Sequence, residues 1–362
     1  MTKCEFTPVL AAYTWPGPVT EIRPYGQGHI NTTFCVSCGA ARFILQKISP
    51  AFRDPQGLME NIAGVTAFLK QKLAHRGQDP MRGTLTVIPT GSGKLFYTDP
   101  QGAAWRLLAF IEDTVCHQVS DPTLFEAAGR AFGDFQFLLQ DYPAHTLHET
   151  LPRFHDTPDR LRLFKEAVAA DICGRAAMVQ AEIAFALDRE ADCAVLMDAL
   201  RAGRLPLRVT HNDTKLNNVL MDAATGDALC VVDLDTVMPG LSVNDFGDAI
   251  RFGATYAAED EPDLSKVNFD LALFAAFTRG FLAGTQGCLT NQELRYLPWG
   301  AKLMTLECGI RFLTDFLQGD TYYHIQDPLQ NLRRCRTQFK LVQDMEQQFD
   351  AMSAVIAGES SN

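Results

Sequence analysis

No stretch of this sequence approaches the ~18 consecutive apolar residues that a membrane-spanning helix needs. Its first twenty residues, MTKCEFTPVLAAYTWPGPVT, lack the basic leader and long apolar core of a secretory signal. Basic residues are also short: 32 Lys and Arg stand against 43 Asp and Glu, a net charge of −11. A generic binder of phosphate backbones is basic, so nucleic acid is not an expected partner, and neither is a membrane. The ten cysteines lie mostly within apolar runs, such as Cys230 in LCVVD and Cys308 in LECGI. Cys35 and Cys38 form a C-x-x-C pair, but no second pair stands at zinc-site spacing. Reduced core thiols and a cytoplasmic location are therefore the expectation; separately, a monomer or small homo-oligomer is expected. There is no internal repeat. What remains is a globular chain of 362 residues, 47% hydrophobic and 21% charged, long enough for about two domains.

The pattern divides unevenly. Residues 1–110 carry short β-prone runs separated by Gly and Pro: TEIRPYG, TTFCVSC, RFILQKI, LTVIPT, KLFYTD and AWRLLAFI. One helix interrupts them, over Pro55 to His75, with Leu58, Ile62, Val65, Leu69 and Leu73 on one face. Residues 111–362 read as mostly helical. Phe125, Ala128, Phe132, Phe135 and Leu139 form one core-facing stripe, and Leu329 to Met352 form another. The join falls near Ala109 to Asp113.

The chemistry is concentrated in VTHNDTKLNNVLMDAATGDALCVVDLD, residues 209–235. Asp213 closes a His-x-Asp turn, Asn218 follows five positions later, and Asp233 ends an apolar run. Two apolar runs around a polar turn containing Gly226 predict a β-hairpin. A symmetric register places Val219 opposite Val232 and Asn218 opposite Asp233, within reach of one cation. Carboxylate and amide oxygens are hard ligands suited to Mg²⁺. Protein kinases use the same layout, with an Asp at the attacking hydroxyl and an Asn and a second Asp on Mg²⁺.

The first part of the chain supplies matching elements. Gly26, Gly28, His29 and Asn31 lie between the first two strand runs, where backbone N–H groups can approach phosphates. Lys47 ends the strand FILQK, and Glu60 on the following helix is the candidate to hold it, as in the kinase lysine–glutamate pair. Lys47 shares a strand face with Phe43 and Leu45, Gln46 shares the other with Ile44, and the contact depends on which face meets the phosphates. Gly91-Ser92-Gly93-Lys94 resembles the end of a P-loop, but Leu95 stands where Ser or Thr is required, so it reads as a turn. Asp245-Phe246-Gly247 spells the magnesium motif of protein kinases, yet no β-run leads into it. The metal is assigned to Asp233, with Asp245 and Asp248 supports for the loop.

Together, HNDTKLNNVL, VVDLDTVMPG, NDFGDAIRFGA, YGQGHIN, ILQKI and MENI resemble the aminoglycoside phosphotransferase/choline kinase superfamily, and within it the N-acetylhexosamine 1-kinases. That resemblance implies an α+β, protein-kinase-like fold of two lobes, a β-rich N-lobe with one inserted helix and a larger, mostly helical C-lobe. It implies ATP and Mg²⁺ as cofactors, a sugar as substrate and Asp213 as catalytic base, with transfer to the anomeric hydroxyl of N-acetylglucosamine or N-acetylgalactosamine. By the same resemblance, the backbone of Ala109, Ile111 and Glu112 meets adenine. Arg311, Tyr322 and His29 then reach the sugar. Choline, homoserine, a methylthio-sugar or an aminoglycoside are the other acceptors this fold accommodates, and a non-catalytic binding module is the reading outside enzymes.

Overall fold

The computed structural model describes residues 3–26, 31–117 and 121–360. The β-prone runs become strands β1 (Val19–Pro24), β2 (Thr32–Cys38), β3 (Ala41–Lys47), β4 (Val87–Ile88), β5 (Tyr97–Thr98) and β6 (Ala104–Ala109). They form one antiparallel sheet in the order β1-β2-β3-β6-β4, with β5 also paired to β6. Because side chains alternate along a strand, the sheet has two distinct faces. One carries Phe34, Leu45, Trp105 and Leu107; the other carries Ile44 and Leu108 and packs on helix α2 (Pro55–His75). Asp54 caps α2 by accepting the Gly57 N–H, and Pro55 occupies its first turn, where a missing N–H costs nothing.

An unexpected helix, α1 (Lys3–Ala11), covers the first face through Phe6 and Val9. Pro8 inside it and its nine-residue length hide it from periodicity. It makes that face an interior, a fact that decides the place of Lys47. Cys35 and Cys38 on β2 are buried free thiols.

Beyond Ala109 the chain enters β7 (Thr114–Val115), which joins the hairpin strands β9 (Val219–Asp222) and β10 (Ala228–Val231) in a small sheet. Helices α3 (Pro122–Leu138), α4 (Thr157–Ala170), α5 (Ser242–Gly253), α6 (Leu271–Thr285), α7 (Asn291–Leu317), α8 (Gln330–Gln347) and α9 (Phe349–Ser360) dominate the rest. The stripe expected to start at Leu329 is split between α8 and α9 by a non-helical Gln348, and Leu329 itself is exposed. Among the described residues, no helix is long and apolar enough to cross a membrane.

Helices α3 and α6 approach closely enough for backbone contact. A Cβ on Gly280 would stand 1.9 Å from the Glu126 carbonyl oxygen. Interiors this dense do not yield cheaply to added volume. Gly280→Ala is therefore expected to cost about 3 kcal/mol, the upper end for overpacking. Urea denaturation measures it, and a loss below about 1 kcal/mol would show that the helices can slide apart.

Candidate active site

Two antiparallel pairings bring the chemistry together. Strand β8 (Arg208–Thr210) pairs with β11 (Met238–Gly240), with Thr210 opposite Met238. The loop leaving β8 and the turn entering β11 are thereby neighbours. The hairpin β9–β10 closes the other side, but its register differs from the expected one. Val219 pairs with Val231, and the Val232 N–H donates to the Asn218 carbonyl at 2.9 Å. An irregularity between Ala228 and Cys230 accommodates the extra residue Leu229 and shifts the pairing by one. Asp233 consequently lies one position past the ladder, in a left-handed conformation (φ 58°) from which a short 3₁₀ turn, Leu234–Thr236, begins.

The loop is held from beneath. The Asp245 carboxylate accepts the N–H groups of His211 (2.9 Å) and Asn212 (2.7 Å) and the Gln136 amide (2.6 Å). Asp248 accepts the Thr214 N–H at 2.9 Å. Phe246 packs among Phe274, Phe277 and Phe281, and Gly247 lies so near Gly300 that a Cβ would meet its carbonyl oxygen at 2.2 Å. The Asp-Phe-Gly triplet is thus fully occupied with support and packing. His211 Nε2 faces the Val232 carbonyl at 2.8 Å, and its Nδ1 accepts the Asp213 N–H, which fixes the tautomer. Asn212 adopts φ 64°, a region Asn tolerates better than most residues. Its amide donates to the Thr236 carbonyl at 2.8 Å, so the residue beside the candidate base also ties the loop to the Asp233 turn.

Asp213 is partly exposed, with Oδ1 2.7 Å from the Lys215 ammonium and Oδ2 accepting from the Asn218 amide at 3.1 Å. Burial alone would raise its pKa, but the charge and hydrogen bond of Lys215, with Arg251 behind, hold it below the usual carboxylate value. Asp233 moves oppositely. Burial and the carboxylates of Asp235 and Asp213 push it up to about 6. This side of the site is short of positive charge. Because the Asn218 NH₂ is spent on the Asp213 carbonyl and carboxylate, its oxygen is the atom left for a ligand. Among the described residues, no three His, Cys, Asp or Glu side chains form a metal-binding cluster. The donor set is one carboxylate and one amide, which suits a hard cation that completes its shell with water and phosphate oxygens.

The side expected to meet the nucleotide differs from the reading of the sequence. Lys47 lies on the α1-covered face, its ammonium 5.8 Å from the centre of the Trp105 ring, and makes no pair with Glu60. Glu60 instead contacts His148 (2.8 Å) and Gln56 (2.6 Å). The opposite strand face carries Gln46, whose Oε1 accepts from Arg106 on β6 at 2.8 Å. Arg106 is only 2% exposed, and its Nη1 pairs with Asp235 Oδ1. Asn31 donates to the other Asp235 oxygen at 2.6 Å and accepts the Ser49 N–H at 2.9 Å. Gly26 sits at φ 75°, whereas Gly28 and His29 lie outside the described residues. At the join, the Ala109 N–H is taken by the Thr86 carbonyl, the Ile111 carbonyl by the Thr114 hydroxyl, and Glu112 pairs with Arg42.

A second wall lies along α7. Glu307 accepts from the Thr157 hydroxyl (2.7 Å) and contacts His155 Nδ1 (2.9 Å), while His155 Nε2 faces the Asn212 carbonyl at 3.3 Å. One turn further, Arg311 stacks 5.1 Å over Phe154 and 5.8 Å from the rings of Tyr322 and Tyr323. Among the described residues Arg311 makes no hydrogen bond or salt bridge, although the Glu307 carboxylate one turn earlier acts on it through its charge. Tyr322 is 63% exposed and Tyr323 packs on Phe312, so the aromatic pair presents one open ring and one seated ring. Lys215, Arg106 and His155 were not anticipated. Lys215 sits two residues past Asp213 in the motif itself, and Arg106 is a lone charge in the apolar strand AWRLLA, so both carried a readable signal.

A β-sheet lobe, a larger helical part and an Asp/Asn/Asp arrangement define the protein-kinase-like class. The chain belongs to the phosphotransferase enzyme family, whose family model matches residues 21–282. Membership implies phosphoryl transfer from ATP to a small molecule. Solved structures with this fold include a microcompartment-associated aminopropanol kinase (17% identity, TM-score 0.58, 97% of this chain and 99% of that one). An aminoglycoside phosphotransferase from Alicyclobacillus acidocaldarius matches at 12% identity and TM-score 0.59, over 97% and 95% of the two chains. A choline kinase from Cryptosporidium parvum Iowa II matches at 12% and 0.56, over 99% and 100%. At these identities the likeness is one of fold.

Proposed function

We propose that this phosphotransferase is an ATP- and Mg²⁺-dependent kinase acting on the anomeric hydroxyl of an N-acetylhexosamine to give the sugar 1-phosphate. The observation that carries this reading is the acceptor wall. Among the described residues Arg311 makes no hydrogen bond or salt bridge, the Glu307 carboxylate one turn earlier acting on it only through its charge. It stands among Phe154, Tyr322 and Tyr323 beside the Glu307–His155 contact with the catalytic loop. A fixed guanidinium repels a cationic amino alcohol or aminoglycoside and hydrogen-bonds the hydroxyl or carbonyl oxygens of a neutral sugar. Aromatic faces beside it suit the apolar face of a pyranose ring.

In this mechanism Asp213 accepts a hydrogen bond from the acceptor hydroxyl and aims its oxygen at the phosphorus. Lys215 keeps the Asp213 carboxylate ionised, and the Asn218 amide fixes its rotamer. The transition state is loose in most analyses, so alignment and charge neutralisation matter more than early proton removal. Asp233 and the Asn218 oxygen would hold Mg²⁺, which supplies neutralising charge at the phosphate oxygens.

The decisive assay is ATP turnover with Mg²⁺ against N-acetylglucosamine, N-acetylgalactosamine, galactose, choline and kanamycin, with ³¹P NMR of the product. Turnover confined to choline or kanamycin would overturn the acceptor class. Arg311→Met is expected to raise KM for the sugar about 10- to 100-fold, the loss of one charge-assisted hydrogen bond, and to leave KM for ATP near normal. An unchanged sugar KM would remove Arg311 from the acceptor site.

A further inference from the structure

Three side chains from the sheet lobe converge on the five-residue turn 233–237. Arg106 of β6 pairs with Asp235 Oδ1, and Asn31, at the end of the glycine segment, donates to Asp235 Oδ2 at 2.6 Å. Asn61 of α2 donates to the Val237 carbonyl at 3.1 Å and the His148 carbonyl at 2.8 Å. All of these groups are buried or partly buried, and Arg106 is among the largest fully buried side chains in the molecule. Both oxygens of Asp235 are therefore committed to protein donors, while the Asp233 side chain, two residues earlier, makes no hydrogen bond or salt bridge among the described residues. The place of the absent Lys47–Glu60 pair is taken by a cation from a different strand, held by a different carboxylate.

We propose that Arg106 and Asp235 form the positioning pair of the nucleotide site. Asp235 is the seat of Arg106 rather than a ligand of the metal. Arg106, through that seat, locks the Asp233 turn to the sheet that carries the glycine segment. The consequence is geometric: Asp233 and Asn218 address one cation only when the turn is held at the height set by β6. Gln46 completes the device from the neighbouring strand by orienting the guanidinium Nε. A planar guanidinium that makes directed bonds to two partners cannot be replaced by an ammonium without loss of geometry. This inference rests on the ATP and Mg²⁺ reading but not on the identity of the acceptor.

The test is calorimetric binding of ADP over a Mg²⁺ titration, with the melting temperature of each variant measured in parallel. The variants are Arg106→Lys, Arg106→Met, Asp235→Asn and the double Arg106→Met/Asp235→Leu. Removing one partner strands a buried charge and lowers stability, whereas removing both leaves no charge behind. The double variant is accordingly expected to melt close to wild type yet need about tenfold more Mg²⁺ for half-maximal ADP binding, with no greater defect than either single change. Arg106→Lys is expected to recover stability better than Mg²⁺ dependence. Wild-type Mg²⁺ dependence in a stably folded double variant would reduce the pair to a structural tie and overturn the proposal. Loss of Mg²⁺ dependence in Asp235→Asn alone, with Arg106→Met normal, would make Asp235 a metal ligand and also overturn it. Failure of the wild-type protein to bind ADP at any Mg²⁺ concentration would fault the nucleotide reading itself.

Discussion

Asp213→Asn is expected to lower kcat by about 10³-fold, within the range a positioned general base contributes, while ADP and Mg²⁺ bind with near wild-type affinity. The substitution preserves shape, and an amide oxygen can still accept from Asn218. What disappears is the charge that draws the acceptor proton and pairs with Lys215 at 2.7 Å. Its pH behaviour follows from the same pair. Lys215 holds the Asp213 pKa below the ordinary carboxylate value, so the base is ionised at and above that value and loses activity only as pH falls through its depressed pKa. The acid limb of kcat/KM set by Asp213 therefore lies below the usual carboxylate range. In Lys215→Met that limb should move up, since burial then acts on Asp213 with less opposition. A kcat within about threefold of wild type for Asp213→Asn, well inside the cost of losing a base, would take Asp213 out of this role.

The parts of the site that were legible lie close together in the chain. Asp213, Asn218 and Asp233 fall within 21 residues joined by a hairpin, so local turn chemistry alone brings them near each other. The register was not legible, because a bulge at Leu229 has no compositional mark and a single extra residue moves every pairing by one. Lys47 illustrates a different limit. Strand alternation correctly separates Phe43, Leu45 and Lys47 from Ile44 and Gln46, but choosing the cleft face requires knowing what covers the other. That cover is α1, which carries no clear period, and it turns the Lys47 side into an interior with Phe6, Val9 and Trp105. Arg106 was readable as an anomaly, an ionised group in a strand otherwise apolar, but its partner Asp235 lies 129 residues away. The His155–Glu307 contact spans 152 residues, and only the packing of α7 against α4 creates it. The helical core was legible wherever its stripe was long: Phe125, Ala128, Phe132, Phe135 and Leu139 are all buried.

Asp233→Ala is expected to reduce kcat/KM by about 10³-fold or more, since a metal clamp on a transferring phosphoryl group is worth several kcal/mol. It should also raise the Mg²⁺ needed for ADP binding. Its effect on stability should run the other way. Burial and the neighbouring Asp235 and Asp213 push the Asp233 pKa up to about 6, so its ionised form is disfavoured in the folded protein. The unfolded chain ionises it more readily, and the metal-free protein carries that penalty at neutral and higher pH but not well below the ordinary carboxylate value. Removing the carboxyl group should therefore raise the melting temperature of the metal-free protein at pH 8 and leave it nearly unchanged at pH 3.5. Asp245→Asn makes the contrast. Its carboxylate accepts two backbone N–H groups beneath the loop, so an amide there leaves a buried donor without an acceptor and lowers stability by about 1–3 kcal/mol. Steady-state kinetics and melting curves on the two variants separate the roles. A variant that loses catalysis while gaining stability marks the residue that meets the metal. If Asp245→Asn shows that pair of effects and Asp233→Ala does not, the two carboxylates exchange assignments.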